Sequence, residues 1–209
     1  TTTIPQSLCS DIDLFADPVL DNPYPTFKAL RDLGSAAYLT RHQVWFLGRH
    51  AEVRNALADW QTFSSAQGIG LNPTINSAWA NALICVDPPQ HTELRKLFSD
   101  RLGPRQLKPI ADTIERRARQ LAGQLIARDS FDAVKDLAED LPVNIIMDLI
   151  GWPDYVRPQL LELADGSFDP CGPENARMHA AMPQLAKIFD LVGEVYDAGA
   201  LTPGGFGST

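Results

Sequence analysis

The stretch Asp87-Pro88-Pro89-Gln90-His91-Thr92-Glu93-Leu94-Arg95 describes a helix that turns two cationic donors toward its own apolar side. Asp87 is a good N-cap, because its carboxylate can accept from the free amides of the first turn. Pro88 or Pro89 suits the first helical position, where no amide donor is required. The helix is expected to run to Leu102 and to stop at Gly103-Pro104, a strong breaker pair. On a wheel of about 100° per residue, Arg95, Phe98 and Leu102 fall within roughly 40° of His91, with Leu94 at the edge of the same face. Thr92, Glu93, Lys96 and Asp100 lie on the other side. A charge on an apolar stripe is costly unless it is paired, so His91 and Arg95 call for an anion inside the fold. One reading is structural: a core histidine bonded to a carbonyl, and an arginine paired with a buried carboxylate.

Composition fits a large helical protein. The chain has 209 residues, 44% hydrophobic and 21% charged, enough for a substantial core. Its 18 Lys and Arg stand against 26 Asp and Glu, a net charge of -8. That balance argues against nucleic acid and against an anionic membrane surface, both of which attract basic patches. No apolar run approaches the roughly 18 residues that a bilayer requires. Thr1 to Ser10 lacks the charged start and apolar block of a secretory signal. Cys9, Cys85 and Cys171 are odd in number, far apart and never in a Cys-x-x-Cys pattern. They read as free thiols of a reducing cytoplasm, and neither as a disulfide framework nor as a zinc site.

Along the chain there is no internal repeat and no linker between two domains. Residues 1–21 read as mostly irregular, leading to Asn22-Pro23-Tyr24-Pro25. Thr26 to Leu33 has helical spacing, with Gly34 as a stop. Ala36 to Leu39 and Val44 to Leu47 flank a polar turn at Arg41-His42-Gln43, a β-hairpin pattern. A helix is expected from about Ala51 to Asp59, then a long mixed connection over 61–86. Leu107 to Arg128 reads as a long helix, Phe131 to Val134 as a short strand, and Asp136 to Ile150 as another amphipathic helix. Two more, Tyr155 to Phe168 and Glu174 to Ala198, are separated by Asp169-Pro170-Cys171-Gly172-Pro173.

The motif Asp-Pro-Pro-x-His-x-x-x-Arg at Asp87 to Arg95 resembles the C helix of bacterial cytochrome P-450 haem-thiolate monooxygenases. Asn22-Pro23-Tyr24-Pro25 is similar to the start of that family's A helix, and Trp45 to Val53 to its passage from strand to B helix. The resemblance covers nearly the whole chain. It implies a mainly α (α+β) fold with a small β-hairpin region and long helices, in which 1–209 is the amino-terminal half of a single domain. It also implies haem b, with His91 and Arg95 on the propionates, and Arg suits a carboxylate geometrically. Ser64-Ser65, Gly68-Ile69-Gly70-Leu71, Phe168 before Gly172-Pro173, and Leu201 to Gly207 resemble enzymes that remove alkyl groups from para-substituted benzoates. From these follow a pocket shaped by Gln67, Ile69, Leu71, Phe168 and Cys171, and O-demethylation of a para-methoxybenzoate or a methoxyphenol. A larger substrate such as a terpenoid is the alternative within the family. Electrons are expected from NAD(P)H through a separate ferredoxin or flavin/iron–sulfur reductase.

The family's axial cysteine follows a Phe-Gly-x-Gly loop, and none of the three cysteines has that setting. The axial ligand, the oxygen-activating helix and the Glu-x-x-Arg helix are therefore expected beyond Thr209, and residues 1–209 alone are expected to be inactive, because the thiolate supplies the push that favours O–O cleavage. Gly205-Phe206-Gly207 is a superficial echo of the cysteine loop. Gly68-Ile69-Gly70 lacks the strand-to-helix setting of a dinucleotide loop and reads as a flexible loop, mobile over the substrate by the resemblance. Related benzoate enzymes carry an Arg at the position of Gln67, and the neutral side chain here departs from that pattern. His42, His50 and His179 have no metal-ligand spacing and read as surface or capping residues. Asp136, Glu139 and Asp140 read as a solvated face near the start of a helix, where acids favour the positive end of its dipole. Outside the enzyme class, a non-enzymatic helical binding domain remains, with His91 and Arg95 meeting a protein carboxylate.

Overall fold

Two strands, Ala37–Leu39 (β2) and Val44–Phe46 (β3), pair antiparallel around the expected turn, Ala37 opposite Phe46 and Leu39 opposite Val44. Gln43 takes the left-handed conformation that a tight turn needs, at φ 55°. The structure, a computed structural model, describes residues 4–164, 167–203 and 205–208, apart from the side chains of residues 100, 101 and 106. They group into two units, the first within Thr1–His91 and Cys171–Asn175, the second within Thr92–Pro170 and Ala176–Thr209.

The first unit is built on the hairpin. Ala37 and Leu39 point inward and are 1% exposed each, packing with Leu30 of helix α2 (Tyr24–Leu33) and with Ile12, Leu14, Val44 and Phe46. Side chains alternate along a strand, so Tyr38 and its partner Trp45 meet on the opposite face, their rings tilted at 58° with centroids 5.2 Å apart. Residues 4–21 are more regular than the sequence indicates, and residues 1–3 lie outside the described residues. Cys9–Ser10 (β1) joins β2 in parallel, and Asp17–Asp21 forms a short helix, α1. A two-residue strand carries too little periodicity to be read from sequence. Asp13 holds this segment to the hairpin turn: it accepts from the Phe15 amide at 2.9 Å and lies 3.1 Å from His42 Nε2. The His42 side chain is only 10% exposed and meets Phe15 edge-on, so the expected surface histidine is a packed one. His50 begins α3 (His50–Ala58) and is exposed, as is His179.

The connection at 61–86 contains a helix, α4 (Pro73–Ala78), whose start is set by Asn72. The Asn72 side chain accepts from the Ile75 amide at 3.0 Å, and Pro73 fills a first-turn position. Helix α5 runs over Gln90–Arg101, close to the expected span. Its entry differs: the Asp87 carboxylate does not cap it, and only the Asp87 carbonyl serves it, accepting from the His91 amide at 3.0 Å.

In the second unit, Pro104 opens α6 (Pro104–Ile126), so Gly103-Pro104 both ends one helix and begins the next. Phe131 to Val134 is not a strand. Asp132 accepts from the Val134 and Lys135 amides at 2.9 and 3.1 Å and starts a π-helix over Ala133–Glu139, continued by α7 (Asp140–Ile150). A capping side chain outweighs two β-prone neighbours here. Asp136 accepts from the Asp132 amide and pairs with Arg128 at 3.1 Å; that amide first, then Arg128, hold its carboxyl below the usual range. Helix α8 (Arg157–Ala164) stops short of Phe168, and residues 165 and 166, inside the expected helix, lie outside the described residues. Helix α9 (Ala176–Asp197) matches its expectation. Met147, Val156, Leu163, Leu191 and Val195 form the core of this unit. Gly151 closes α7 in the left-handed conformation, φ 85°, and a Cβ on Gly205 would sit 2.6 Å from the Gly151 Cα. Gly205 is thus a packing glycine against the end of α7.

Among the described residues, no helix is long and apolar enough to cross a membrane. Met147 is fully buried at the centre of its core. Met147→Ala should lower the unfolding free energy by about 2–5 kcal/mol, read as a shift of the urea midpoint.

Candidate functional site

Helix α5 carries His91 and Arg95 one turn apart on one face, with Phe98 following in register. The Asp87 carboxylate accepts a short hydrogen bond from the Ser64 hydroxyl and a longer one, 3.4 Å, from the Ser65 amide. Ser64-Ser65 is thereby fastened to the entry of α5. In the second unit the stripe is partly covered: the Phe98 and Phe206 rings lie 5.5 Å apart. His91 is half-buried and Arg95 is exposed. Among the described residues, neither side chain meets a carboxylate. A histidine and an arginine spaced by one turn fit a group bearing two carboxylates, the planar fork of Arg taking one of them. The haem propionates are such a pair, so the donor set fits the expected cofactor.

The expected pocket residues are divided by the structure. Gln67 and Leu71 line a cavity of about 630 Å³ in the first unit, together with Gly70, His42, Val44 and Asn76. Ile69 is 37% exposed and is not on its wall. The Cys171 carbonyl accepts from the Leu71 amide at 2.8 Å. Its thiol is pushed above its ordinary pKa, chiefly by burial and further by Cys85. Phe168 belongs to the second unit and is 82% exposed.

The loop at Gly68 to Leu71 is held at several points, contrary to the expectation of a flexible one. The Asn76 side-chain amide accepts from the Gly70 amide at 2.8 Å and donates to the Gly70 carbonyl at 3.0 Å. Asn72 donates to the Gly172 carbonyl at 2.8 Å while capping α4. Gly68 has φ 110°, and a Cβ there would lie 2.1–2.5 Å from Asn76. Asn72, Asn76 and His42 were not singled out for this site from sequence. The available signal was Asn72-Pro73, an N-cap followed by a first-turn proline. Among the described residues, no group of three His, Cys, Asp or Glu could hold a metal ion. Asn76→Ala should speed hydrogen exchange of the Gly70 amide by about tenfold or more, because its only acceptor is lost. The Leu71 amide, bonded to Cys171, should change much less; equal acceleration of both would show that Asn76 does not hold the loop.

No protein-family profile matches the chain. It is 34% identical over 201 residues to "Cytochrome p450 CYP199A2" of Rhodopseudomonas palustris, across 94% of this chain and 49% of that protein. "Putative cytochrome P450 123" of Mycobacterium tuberculosis is 30% identical over 162 residues, across 74% of this chain and 40% of that protein. Among solved structures, the heme domain of CYP116B5 from Acinetobacter radioresistens superposes with a TM-score of 0.71 at 19% identity. That superposition covers 90% of this chain and 49% of the other, and it shows the fold. The chain spans about half the length, or less, of the curated relatives it matches. The family these likenesses support is that of the bacterial cytochromes P450, the haem-iron monooxygenases.

Proposed function

We propose that these residues are the amino-terminal half of a single haem-thiolate monooxygenase domain that inserts one oxygen atom from O2 into a small aromatic substrate. The observation that carries it is the pair His91 and Arg95, hydrogen-bond donors on one helix face with no carboxylate partner among the described residues. In this reading the two side chains bind and orient the haem through its propionates. When bound, haem with a cysteine thiolate supplies the activation of O2. None of Cys9, Cys85 and Cys171 follows a Phe-Gly-x-Gly loop, so we assign the axial thiolate to a part of the protein outside residues 1–209. NAD(P)H and a separate ferredoxin or reductase supply the electrons.

Gln67 and Leu71, on the wall of the first-unit cavity, select the substrate. A neutral amide at Gln67 can donate to a phenol or accept from one. It offers no full charge to a carboxylate. O-demethylation of a methoxyphenol or a para-methoxybenzoate is the reaction this pocket is proposed to serve. A non-enzymatic binding domain is the competing class. The absorption spectrum of the full-length protein separates the two, because only the monooxygenase gives a ferrous–CO band at the position of thiolate-ligated haem.

In the full-length protein, Arg95→Ala should reduce haem content after gel filtration more than Lys96→Ala. Arg95 would lose a charge-assisted hydrogen bond to a carboxylate, worth about 1.5–3 kcal/mol, which Lys96, off the His91 face, would not make. Equal haem content in the two variants would remove Arg95 from the propionates. Gln67→Arg should shift binding toward 4-methoxybenzoate relative to a neutral methoxyphenol by about tenfold, if the new ion pair contributes about 1.4 kcal/mol. Titrations followed by the haem spectral shift measure this. A spectrum that responds to neither ligand but does respond to a terpenoid would move the substrate to the larger class and leave the family intact.

A further inference from the structure

Helices α2 and α3 of the first unit border a groove of about 620 Å³ that the monooxygenase reading does not use. His50, Val53, Arg54 and Leu57 recur at i, i+3, i+4 and i+7 and so form one stripe of α3; Phe27 and Arg31 are one turn apart on α2. The floor is aromatic and aliphatic, with the Phe27 and Phe46 rings stacked at 5.7 Å. Leu57 is 82% exposed, an apolar side chain left in water at the groove.

The rim is cationic. Arg49 donates through Nε and Nη2 to the Arg31 carbonyl at 3.1 and 2.5 Å, which fixes its guanidinium beside the groove. Among the described residues, none of Arg31, Arg49 and Arg54 forms an ion pair. The nearby carboxylate of Asp32 is taken by Lys28 at 2.6 Å. In a chain of net charge -8, three arginines around an apolar floor stand against the overall sign. A planar guanidinium matches a carboxylate in geometry, and the volume is that of a site for one small molecule.

We propose that this groove binds an amphiphilic carboxylate of medium chain length, its headgroup on Arg31 and Arg54 and its chain along Phe27, Val53 and Leu57. Decanoate, kept below its micelle concentration, is titrated into the full chain while the Val53 and Leu57 methyl resonances are followed. Decyltrimethylammonium, with the same chain and the opposite charge, is titrated in parallel. Decanoate should shift both methyls and bind more tightly than the cation by about fivefold or more. The double variant Arg31→Gln/Arg54→Gln should weaken decanoate by about fivefold or more, and Arg119→Gln, on α6, should leave it unchanged. Arg54→Gln alone, at an exposed position, gives a smaller loss in the same direction and serves if the double variant does not fold. Equal affinity for the two amphiphiles overturns the proposal, as does affinity unchanged in the arginine variants. Binding only to anionic phospholipid vesicles, with no response to free decanoate, also overturns it and makes the patch a membrane contact. Because the readout is on α3 and not on haem, the result stands or falls independently of the monooxygenase assignment.

Discussion

Buried backbone amides and carbonyls must be bonded wherever the chain is neither helix nor sheet, and residues 64–76 meet much of that demand with side chains. Asp87 takes the Ser65 amide, Asn76 takes both polar groups of Gly70, and Asn72 takes the Ile75 amide. Leu71 instead uses the carbonyl of Cys171, 100 residues later in the chain. These bonds turn what composition describes as a glycine-rich connection into a shaped wall of a cavity. They also explain why Cys171–Asn175 is part of the first unit although the sequence around it belongs to the second.

What was legible in the sequence followed periodicity. The hairpin, α2, α3, α5, α6, α7 and α9 all have enough residues for a period of two or 3.6 to show. The errors occurred where one side chain outweighs its neighbours. Phe131 to Val134 has strand composition, yet the Asp132 carboxylate collects two amides and starts a helix. Asp87 has the identity of a cap, but Ser64 and Ser65 reach its carboxylate first. His42 resembles a surface residue because its partner Asp13 is 29 positions away, and no local pattern records such a pair. Short elements such as Cys9–Ser10 are decided by the strand they join.

The chain is acidic overall, yet among the described residues several of its cations have no carboxylate partner. Lys28, Arg117, Arg119, Arg128 and Arg157 all have carboxylate partners within their own units. Arg95, Arg31, Arg49 and Arg54 do not. In a protein with acids in excess, arginines without a partner are selected by something other than the fold, since surface pairs are easily formed and of little energetic consequence. Helix α5 and the α2–α3 groove are two places where such arginines lie beside apolar side chains, with Arg49 held there by the Arg31 carbonyl.

A loop position confers specificity only if its backbone is held. A side chain on a mobile loop can swing away from a poor substrate at little cost, so its chemistry is averaged; one on a tethered loop must be matched or paid for in desolvation. Gln67 adjoins Gly68, whose left-handed backbone is fitted against Asn76, and the chain three and four residues on is bonded to Asn76 and Cys171. The amide of Gln67 thus projects from a backbone with little freedom to retreat. In the proposed pocket, a neutral side chain at so tethered a position bears on the charge of a ligand more than on its size.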